Sequence, residues 1–383
     1  MNVLLIGNLA EDRQESMQRF TALLHSGLSA RGHTVTVLAP TLRLARFGPA
    51  YHYGGLPKFL GYFDKFVLFP RQLRRAVSAL KPDVVHITDH ANAIYADAVK
   101  GVPRLVTCHD LLQIRAARGE FPRQSLGILA RCYQDWIRTC LARLPHVACV
   151  SERTRADVLR LVGLPESRVT LIPNALNYPY QPVPADSART RLAALLARHR
   201  VDPAALAPGS GGFLLHVGGG QWYKNREGLL VIFAELRQLL EPAPRLVIVG
   251  PPLAAADAAL AVELGLAAQL VFLSGVTNPE LEALYNLAEG LVLPSWEEGF
   301  GWPIAEAQAC GCPVFASQRP PLTEVGGRSS VYFDPGNPVA AARTIAAAWP
   351  GRTDRRALAL TEARRWQPAL MLEAYEALYR GIQ

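Results

Sequence analysis

Short apolar runs alternate with stretches of helical periodicity along almost the whole chain, and this alternation limits the fold more than any other feature of the sequence. Runs this short, separated by segments long enough to cross over, predict parallel strands covered by helices on both faces of a sheet. The predicted strands of the first series are Val3–Ile6, Thr34–Leu38, Val84–Ile87, Arg104–Thr107, His146–Val150 and Arg168–Ile172. The clearest helices between them are Ser16–Ala30, Gly127–Arg143 and Glu152–Leu161. Residues 1–180 therefore predict one doubly wound, Rossmann-like domain.

A second series of the same kind follows a proline-rich segment at Pro179–Pro184. Its predicted strands are Phe213–Val217, Leu246–Val249, Leu270–Leu273, Gly290–Leu293 and Pro313–Phe315. Its predicted helices are Asp186–Arg200, Arg226–Leu240, Asp257–Leu264, Pro279–Leu287, Pro303–Cys310 and Val339–Ala348. A chain of 383 residues exceeds what one hydrophobic core usually supports, so we expect a second domain over residues 181–359.

The last part of the chain is a helical stretch, Arg364–Arg380, with no strand after it. We expect residues 360–383 to cross back to the first domain. The predicted fold class is therefore α/β, with two Rossmann-like doubly wound domains facing each other across a cleft. Ligands of such sheets bind beyond the carboxyl ends of the strands, so candidate site residues are sought there.

Composition and charge limit the cellular location and the binding partners that we expect for the protein. Half of the residues are apolar, and the amino terminus, MNVLLIGN, is typical of a first strand rather than a signal peptide. No apolar run is long enough to span a bilayer and no CxxC pair occurs, so we expect a cytoplasmic protein. Residues 1–180 hold 23 Lys and Arg against 13 Asp and Glu. This basic half is suited to phosphates, an anionic membrane surface or nucleic acid, or it reflects an arginine-rich composition.

The segment Gly127–Arg143 combines arginines with aromatic and aliphatic residues. This pattern is compatible with a helix that lies on a membrane surface, and equally with an ordinary helix packed on its own domain.

A glycine-rich turn follows the first strand of the second series in the segment HVGGGQWYKNRE, residues 216–227. Gly218, Gly219 and Gly220 let backbone amides approach a ligand closely, and Lys224 precedes the next helix. Helix amino termini attract phosphate through their free N–H groups and their dipole. The segment matches neither a Walker loop nor GxGxxG, and an ordinary strand-to-helix turn with a solvated lysine is the alternative.

Two glutamates, Glu298 and Glu306, stand eight positions apart in EEGFGWPIAEAQACGCPV, residues 297–314. We expect Glu298 in the loop after a strand and Glu306 in the first turn of the helix that Pro303 begins. A carboxylate there can accept hydrogen bonds from vicinal hydroxyls such as a ribose diol, and the glycines 299 and 301 can bring backbone N–H groups onto a sugar. Complementing the helix dipole is the alternative role of Glu306.

Histidines follow two strands of the first series. His109 comes after the strand that ends in TCHDL, and His86 and His90 flank the strand end HITDH. The sequence therefore predicts a rim with imidazole and carboxylate groups on the first domain, although a single histidine is more often structural.

These motifs, taken in order, resemble the retaining glycosyltransferases of the GT-B fold, glycosyltransferase family four. The resemblance runs nearly from end to end and rests on LSARGHTV, PDVVH, TCHDL, CVSERTRADV, VTLIPN, HVGGG followed by KN, and E-x7-E within EGFGWPIAEAQACGCPV. The last motif is the most specific of them.

The resemblance implies a role for each matching residue. Glu306 holds the ribose of the donor nucleotide, Glu298 faces the transferred hexose, and Lys224 neutralises the diphosphate. His109 lies near the transferred sugar, which makes Glu298, His109 and Lys224 the implied catalytic residues. The implied donor-binding residues are Gly7, Gly218, Gly219, Gly220, Lys224, Asn225, Glu298, Gly299, Phe300, Gly301 and Glu306. Asn8 falls with Gly7 in a loop that closes over the donor.

The implied reaction moves a mannose- or glucose-type hexose from a nucleotide-diphosphate sugar to a glycan, lipid-linked or small-molecule acceptor. The nucleotide sugar is a co-substrate, and no cofactor and no metal are expected, since the sequence lacks a DxD motif. Peripheral membrane contact at the inner face is left open, and nucleic acid is not an expected partner. An inactive protein that binds nucleotide sugars or glycans is the alternative.

One departure from the family pattern concerns the diphosphate. The family usually carries an arginine directly after the first glycine of the loop, where this chain has Gly218 or Gly219. Whether Arg226 replaces that arginine is left open, as are the donor base, the acceptor, the linkage and the oligomeric state.

Overall fold

The computed structural model describes residues 1–12, 14–44, 60–207, 209 and 211–383. The chain forms two compact units, one made of Met1–Asn177 with Pro368–Gln383 and the other of Tyr178–Gln367. Each unit contains one sheet that has six parallel strands among the described residues. The predicted fold class of two Rossmann-like domains is confirmed. The first unit ends three residues before the predicted boundary, and residues 360–367 belong to the second unit rather than to the returning helix.

The sheet of the first unit has the strand order β2-β1-β3-β4-β5-β6. Its strands are β1 (Asn2–Ile6), β2 (Thr34–Leu38), β3 (Val84–Ile87), β4 (Arg104–Cys108), β5 (His146–Cys149) and β6 (Val169–Leu171). Successive side chains of a strand point to opposite faces, and β1 divides its apolar residues accordingly. Leu4 and Ile6 join one core cluster, whereas Val3 and Leu5 join another on the opposite face. Both faces of this sheet are therefore covered.

The helices of the first unit are α1 (Glu15–Ala30), α2 (Phe69–Leu80), α3 (Leu112–Ala117), α4 (Ile128–Ala142), α5 (Glu152–Val162) and α14 (Pro368–Gly381). A π-helical turn, Asp64–Leu68, precedes α2, and a run of 3-10 turns covers His90–Val99. The three predicted helices of this unit lie within about one residue of α1, α4 and α5.

The carboxyl-terminal helix α14 is part of the first unit and is held by buried hydrogen bonds as well as apolar contacts. Tyr379 Oη lies 2.7 Å from Nδ1 of His86, and Tyr375 Oη lies 2.7 Å from Oγ1 of Thr107. Glu376 contacts His33 at 2.8 Å. His86 therefore lies inside the sheet beneath α14, and its expected position at the rim of the strand ends is wrong.

The sheet of the second unit has the order β12-β11-β10-β7-β8-β9. Its strands are β7 (Phe213–Val217), β8 (Arg245–Val249), β9 (Leu270–Leu273), β10 (Gly290–Leu293), β11 (Val314–Ser317) and β12 (Val331–Phe333). The sequence analysis missed β12, a strand of three residues of which only Phe333 is buried. The order places β7 and β10 side by side, although 72 residues separate their ends in the chain.

The helices of the second unit are α6 (Ala185–Arg198), α7 (Arg226–Leu239), α8 (Ala255–Glu263), α9 (Asn278–Leu287), α10 (Trp302–Ala309), α11 (Leu322–Gly326), α12 (Pro338–Ala348) and α13 (Arg355–Ala363). Among the described residues of both units, no helix is both long and apolar enough to cross a lipid bilayer.

Stability should fall in mild acid, because the fold holds His86 in its neutral form. Burial, with a smaller effect of His109, lowers the pKa of His86 from 6.5 to about 3. The unfolded chain takes up a proton as the pH falls below 6.5, whereas the folded chain does not. This stabilisation is complete above pH 6.5 and is lost progressively toward pH 3. At pH 5 the loss from this one group is about 2 kcal/mol.

Urea unfolding at pH 7.5 and 5 measures this effect. We expect His86→Gln to lower stability at pH 7.5 but to reduce the loss between the two pH values by about 2 kcal/mol. His25→Gln, at an exposed position on α1, is the matched control and should keep the wild-type loss. An unchanged pH dependence in His86→Gln would contradict the assignment.

Candidate functional site

A largely buried ion pair, in which both side chains keep some exposure to solvent, joins the loop after β7 to the loop after β10. Lys224 Nζ lies 2.7 Å from Oε1 and 2.9 Å from Oε2 of Glu298. The lysine side chain is 13% exposed and the glutamate side chain 9% exposed. The Ser295 hydroxyl donates a further hydrogen bond to Oε1 of Glu298 at 2.9 Å. A fixed cation and a fixed carboxylate therefore stand together at the carboxyl ends of two adjacent strands.

Asn225 connects the same two loops through both ends of its amide. Its Oδ1 accepts a hydrogen bond from the backbone N–H of Gly228, which caps α7, and its Nδ2 donates to the carbonyl of Pro294 at 2.9 Å. The residue adopts a left-handed backbone conformation with φ 55°, which asparagine tolerates better than most residues. This side chain therefore positions Lys224, its chain neighbour, against the loop that carries Glu298.

Arg226 supports the glycine turn from the protein side. Its Nη2 donates to the carbonyl of Gly218 at 2.9 Å, and its Nη1 lies within hydrogen-bond distance of the carbonyls of Pro251 and Pro252. The residue is almost completely buried. The structure thus uses Arg226 to hold the loops after β7 and β8 together. A diphosphate contact by Arg226 would require these carbonyls to give up its Nη groups.

The three glycines of this turn differ in how much space surrounds their Cα atoms. Gly218 donates its N–H to the carbonyl of Val249 at 3.1 Å, and a Cβ atom at Gly219 would lie 2.2 Å from the side-chain oxygen of Gln221. A Cβ atom at Gly220 would meet no atom closer than 3.8 Å. The turn is therefore most open to an approaching ligand at Gly220.

Glu306 lies on α10 and is 5% exposed. The hydroxyl of Tyr285, on α9, donates a hydrogen bond to Oε2 of Glu306 at 2.9 Å. Burial, reinforced by the charge of Glu306, raises the pKa of Tyr285 well above its usual range, so the hydroxyl keeps its proton. Glu306 stands in the second turn of the helix, one residue later than expected, because α10 begins at Trp302 rather than at Pro303.

The residues between the two glutamates form the start of α10. Gly301 is its N-cap with φ 107°, a conformation that favours glycine, and a Cβ atom there would lie 2.8 Å from Leu322. Phe300 is 3% exposed, and its ring packs edge-on against Trp366 at 5.3 Å. Its side chain is therefore part of the core.

His216, on β7, is a site-adjacent residue that the sequence analysis did not select. Its Nδ1–H donates to the carbonyl of Val292 on β10 at 3.0 Å, and burial lowers its pKa to about 4. The neutral ring therefore ties together the two strands whose loops carry Lys224 and Glu298.

Strand ends of the first unit form a separate polar network. Asn8, which follows Gly7 at the end of β1, donates to Oδ2 of Asp89 at 2.5 Å and accepts from Nδ2 of Asn92 at 2.8 Å. Oδ1 of Asp89 lies 3.1 Å from Nδ1 of His90. Burial opposes the charge on Asp89, but His90 outweighs it, and the pKa of the carboxyl is lowered. The loops after β1 and β3 are therefore fastened to each other.

His109 lies next to this network, at the end of β4. Its Nε2–H donates to the carbonyl of Thr88 at 3.0 Å, and its ring meets Phe20 edge-on at 4.7 Å. Burial lowers the pKa of His109, although Asp89 acts in the opposite direction. The imidazole is thus held neutral and in one orientation, with the proton on Nε2.

The structure brings some predicted residues together and leaves others in separate surroundings. Lys224 and Glu298 are in direct contact, whereas Glu306 has its own partner in Tyr285. Gly7 and His109 belong to the first unit. Over the described ranges of the chain, no group of three or more His, Cys, Asp or Glu side chains is arranged to hold a metal ion.

Two family models match this chain. Residues 17–178 match the family model described as Glycosyltransferase Family 4, and residues 200–364 match the one described as Glycosyl transferases group 1. Together the two matches span most of the chain. The protein belongs to the family-four glycosyltransferases of the GT-B fold, as the sequence motifs predict.

Two curated relatives have low sequence identity to this chain. D-inositol 3-phosphate glycosyltransferase of Salinispora tropica is 29% identical over 277 residues, which cover 68% of this chain and 54% of that protein. Serotype-specific mannosyltransferase WbdA of Escherichia coli is 25% identical over 275 residues, which cover 68% of this chain and 32% of that protein. The chain thus spans about half or less of the length of these curated relatives.

Solved structures extend the likeness of fold to the whole chain. Sucrose-phosphate synthase from Thermosynechococcus elongatus has a TM-score of 0.74 at 19% identity, and the match covers 100% of this chain and 99% of that one. HepE of Anabaena, solved in complex with UDP-glucose, has a TM-score of 0.70 at 15% identity and covers 99% of each chain.

The contact between Tyr285 and Glu306 can be tested by a double-mutant cycle. Tyr285→Phe removes one donor from a buried carboxyl group and should lower the free energy of unfolding by about 1–3 kcal/mol. Glu306→Gln should also destabilise the protein. The double variant should lose less than the sum of the two by about 1 kcal/mol, measured by urea unfolding. Strictly additive losses would mean that the two side chains do not interact.

Proposed function

We propose that the protein transfers a hexose of the mannose or glucose type, with retention of anomeric configuration, from a nucleotide-diphosphate sugar to a hydroxyl of a glycan, lipid-linked or small-molecule acceptor. The observation that carries the proposal is the Lys224–Glu298 pair at the ends of β7 and β10, with Glu306 one helix turn beyond. The relatives support the class of reaction, because both are named as transferases of sugars and one as a mannosyltransferase.

Lys224 is the proposed partner of the donor diphosphate. Departure of the nucleotide leaves negative charge on the diphosphate, and a fixed cation in a site sheltered from water stabilises that charge most effectively. The neighbouring amides of the turn at Gly220 and of the α7 start add partial positive charge. These groups supply the charge without a metal ion, and we propose a metal-independent reaction for that reason.

Glu298 and Glu306 are the proposed acceptors for hydroxyls of the donor. Glu298 is held by Lys224 and Ser295, so its orientation is fixed before a sugar arrives. Glu306 is oriented by Tyr285 and serves the ribose diol in the proposal. Backbone groups of the Gly299–Gly301 segment complete the contacts to the sugar.

The first unit is the proposed acceptor side. His109 is neutral and oriented, and it serves in the proposal as a hydrogen-bonding partner close to the transferred sugar. Retention fits a front-face attack in which the leaving phosphate itself takes the acceptor proton, so no dedicated base is required. A cytoplasmic site of action and a peripheral contact with the membrane are also part of the proposal.

The donor is the first point to test. We expect one of UDP, GDP, ADP, dTDP and CDP to stabilise the wild type against thermal unfolding, by about 2.7 kcal/mol at ~100 times its dissociation constant. UDP and GDP are the leading candidates, and the complex of HepE with UDP-glucose supports the first of them. Glu306→Ala should abolish the stabilisation. Glu263→Ala, at an exposed position on α8, is the matched control and should retain it.

The matching nucleotide sugar then separates an enzyme from an inactive binding protein. An enzyme releases the nucleotide from the sugar in the presence of acceptor or, slowly, of water, and Glu298→Ala lowers that rate. Stabilisation by a nucleotide without any release would favour the binding protein. Absence of stabilisation by all five nucleotides would contradict the proposed donor site.

A further inference from the structure

Aromatic side chains of the first unit join the π-helical turn before α2 to the helix α4. The ring centroids of Phe66 and Trp136 lie 5.5 Å apart, and those of Tyr133 and Trp136 lie 6.1 Å apart. The ring of Phe66 also lies 6.1 Å from that of Tyr133 and 5.5 Å from that of Tyr62. We call Tyr62, Phe66, Tyr133 and Trp136 the aromatic cluster.

The aromatic cluster is open to solvent although its rings support one another. Trp136 is 43% exposed and Tyr133 is 37% exposed. The two rings meet edge to face at an angle of 64°, an arrangement that aromatic pairs prefer and that fixes the orientation of each ring. Contacts that already fix a side chain lower the entropy lost when a ligand binds. The cluster is therefore an exposed and pre-organised apolar surface.

An ion pair fastens the aromatic cluster to the strand ends of the first unit. Lys65, the chain neighbour of Phe66, donates to Oδ2 of Asp12 at 2.6 Å. Asp12 ends a 3-10 turn that follows the loop after β1, and Asn8 of that loop binds Asp89. The π-helical turn that carries Lys65 and Phe66 is a rare conformation, found most often at functional sites. The cluster therefore lies next to the polar network on the proposed acceptor side.

The hydroxyl group of Tyr133 is close enough to the same carboxylates to sense their charge. Partial burial, with smaller effects of Asp12 and Asp89, raises the pKa of Tyr133 to about 12, so the hydroxyl keeps its proton. The apolar rings are thus bordered by a phenol hydroxyl, an amide and carboxylates. Such a surface suits a ligand that has both apolar C–H faces and hydroxyl groups.

We propose that the aromatic cluster binds a pyranose residue of a glycan acceptor, with a C–H face of the sugar ring against Trp136 and Tyr133. A hexopyranose carries axial hydrogens on its faces and hydroxyls around its rim, so it matches both parts of this surface. Neighbouring rings of the cluster are 5.5–6.1 Å apart, which is close to the length of one pyranose residue. A short glycan that stacks on the cluster can therefore extend a terminal hydroxyl toward Asn8 and Asp89.

The charged border favours a glycan over an acyl chain. Carboxylates such as Asp12 and Asp89 accept hydrogen bonds from hydroxyl groups, which a sugar has and an acyl chain lacks. Negative charge at the border also repels the phosphates of anionic lipids. This inference rests on the proposed function and deepens it, because it selects a glycan from the proposed acceptor classes and assigns the side chains that hold it.

Calorimetric titration of the full chain with maltohexaose, mannohexaose and chitohexaose tests this binding and requires no sugar transfer. We expect at least one of these glycans to bind the wild type. Trp136→Ala should weaken that binding roughly tenfold, and Tyr133→Leu about fivefold, because each loses a ring face. Trp136→Leu keeps an apolar side chain without a ring, so it should also lose about tenfold, whereas Trp136→Phe should stay within about threefold of the wild type.

The matched control is Phe272→Ala, which removes an aromatic ring of similar exposure from β9 in the second unit and should bind like the wild type. Binding of none of the three glycans at about 10 mM, or binding that Trp136→Ala and Trp136→Leu leave unchanged, would overturn the proposal. Adsorption to phospholipid vesicles that Trp136→Leu retains, without glycan binding, would assign the cluster to a lipid instead. Nucleotide stabilisation of the wild type is unaffected by any of these outcomes, so failure here is distinct from failure of the donor site.

Discussion

The ion pair between Lys224 and Glu298 is the interaction on which the rest of the second unit's site depends. Both charges are largely withdrawn from water, and each would be costly to keep there without the other. The surrounding contacts hold the two loops so that the charges meet. Asn225 bridges the loops, Arg226 fastens the glycine turn, and His216 joins the strands beneath them. In the proposed function this site receives a diphosphate, and Glu298 is the partner of the lysine until the donor arrives.

The first unit fixes its strand ends with neutral imidazoles, an asparagine and the carboxyl group of Asp89. His86 and His109 are kept neutral by burial, and each is fixed by partners from the same unit. Asn8 and Asp89 tie two strand ends together, so the loop that contains Gly7 is held rather than loose. The helix α14 also fixes His86, through the hydrogen bond between Tyr379 and Nδ1 of the ring. Polar residues thus set the position of the loops in both units, while the apolar clusters set the position of the strands.

Local patterns were sufficient to predict most strands and helices, because parallel strands buried on both faces are continuous apolar runs with turn residues at each end. They also placed Lys224 and Glu298 at strand ends. They did not predict that these two residues touch, since that depends on β7 and β10 being neighbours, and strand order is not encoded in any local pattern. Tyr285 was missed for the same reason. The prediction placed His86 at the rim because it is close to a strand end. In the structure His86 lies within β3, and its side chain contacts α14.

Binding of the nucleoside diphosphate to Glu298→Gln and Lys224→Gln, measured by calorimetry with the nucleotide that stabilises the wild type, tests the central role of the ion pair most directly. Glu298→Gln frees Lys224 from its partner and removes a negative charge beside the diphosphate. It should therefore bind the nucleotide more tightly, by roughly fivefold, while releasing nucleotide from the nucleotide sugar more slowly than the wild type. Lys224→Gln should lose nucleotide binding. Weaker nucleotide binding by Glu298→Gln, or unchanged binding by Lys224→Gln, would contradict the account.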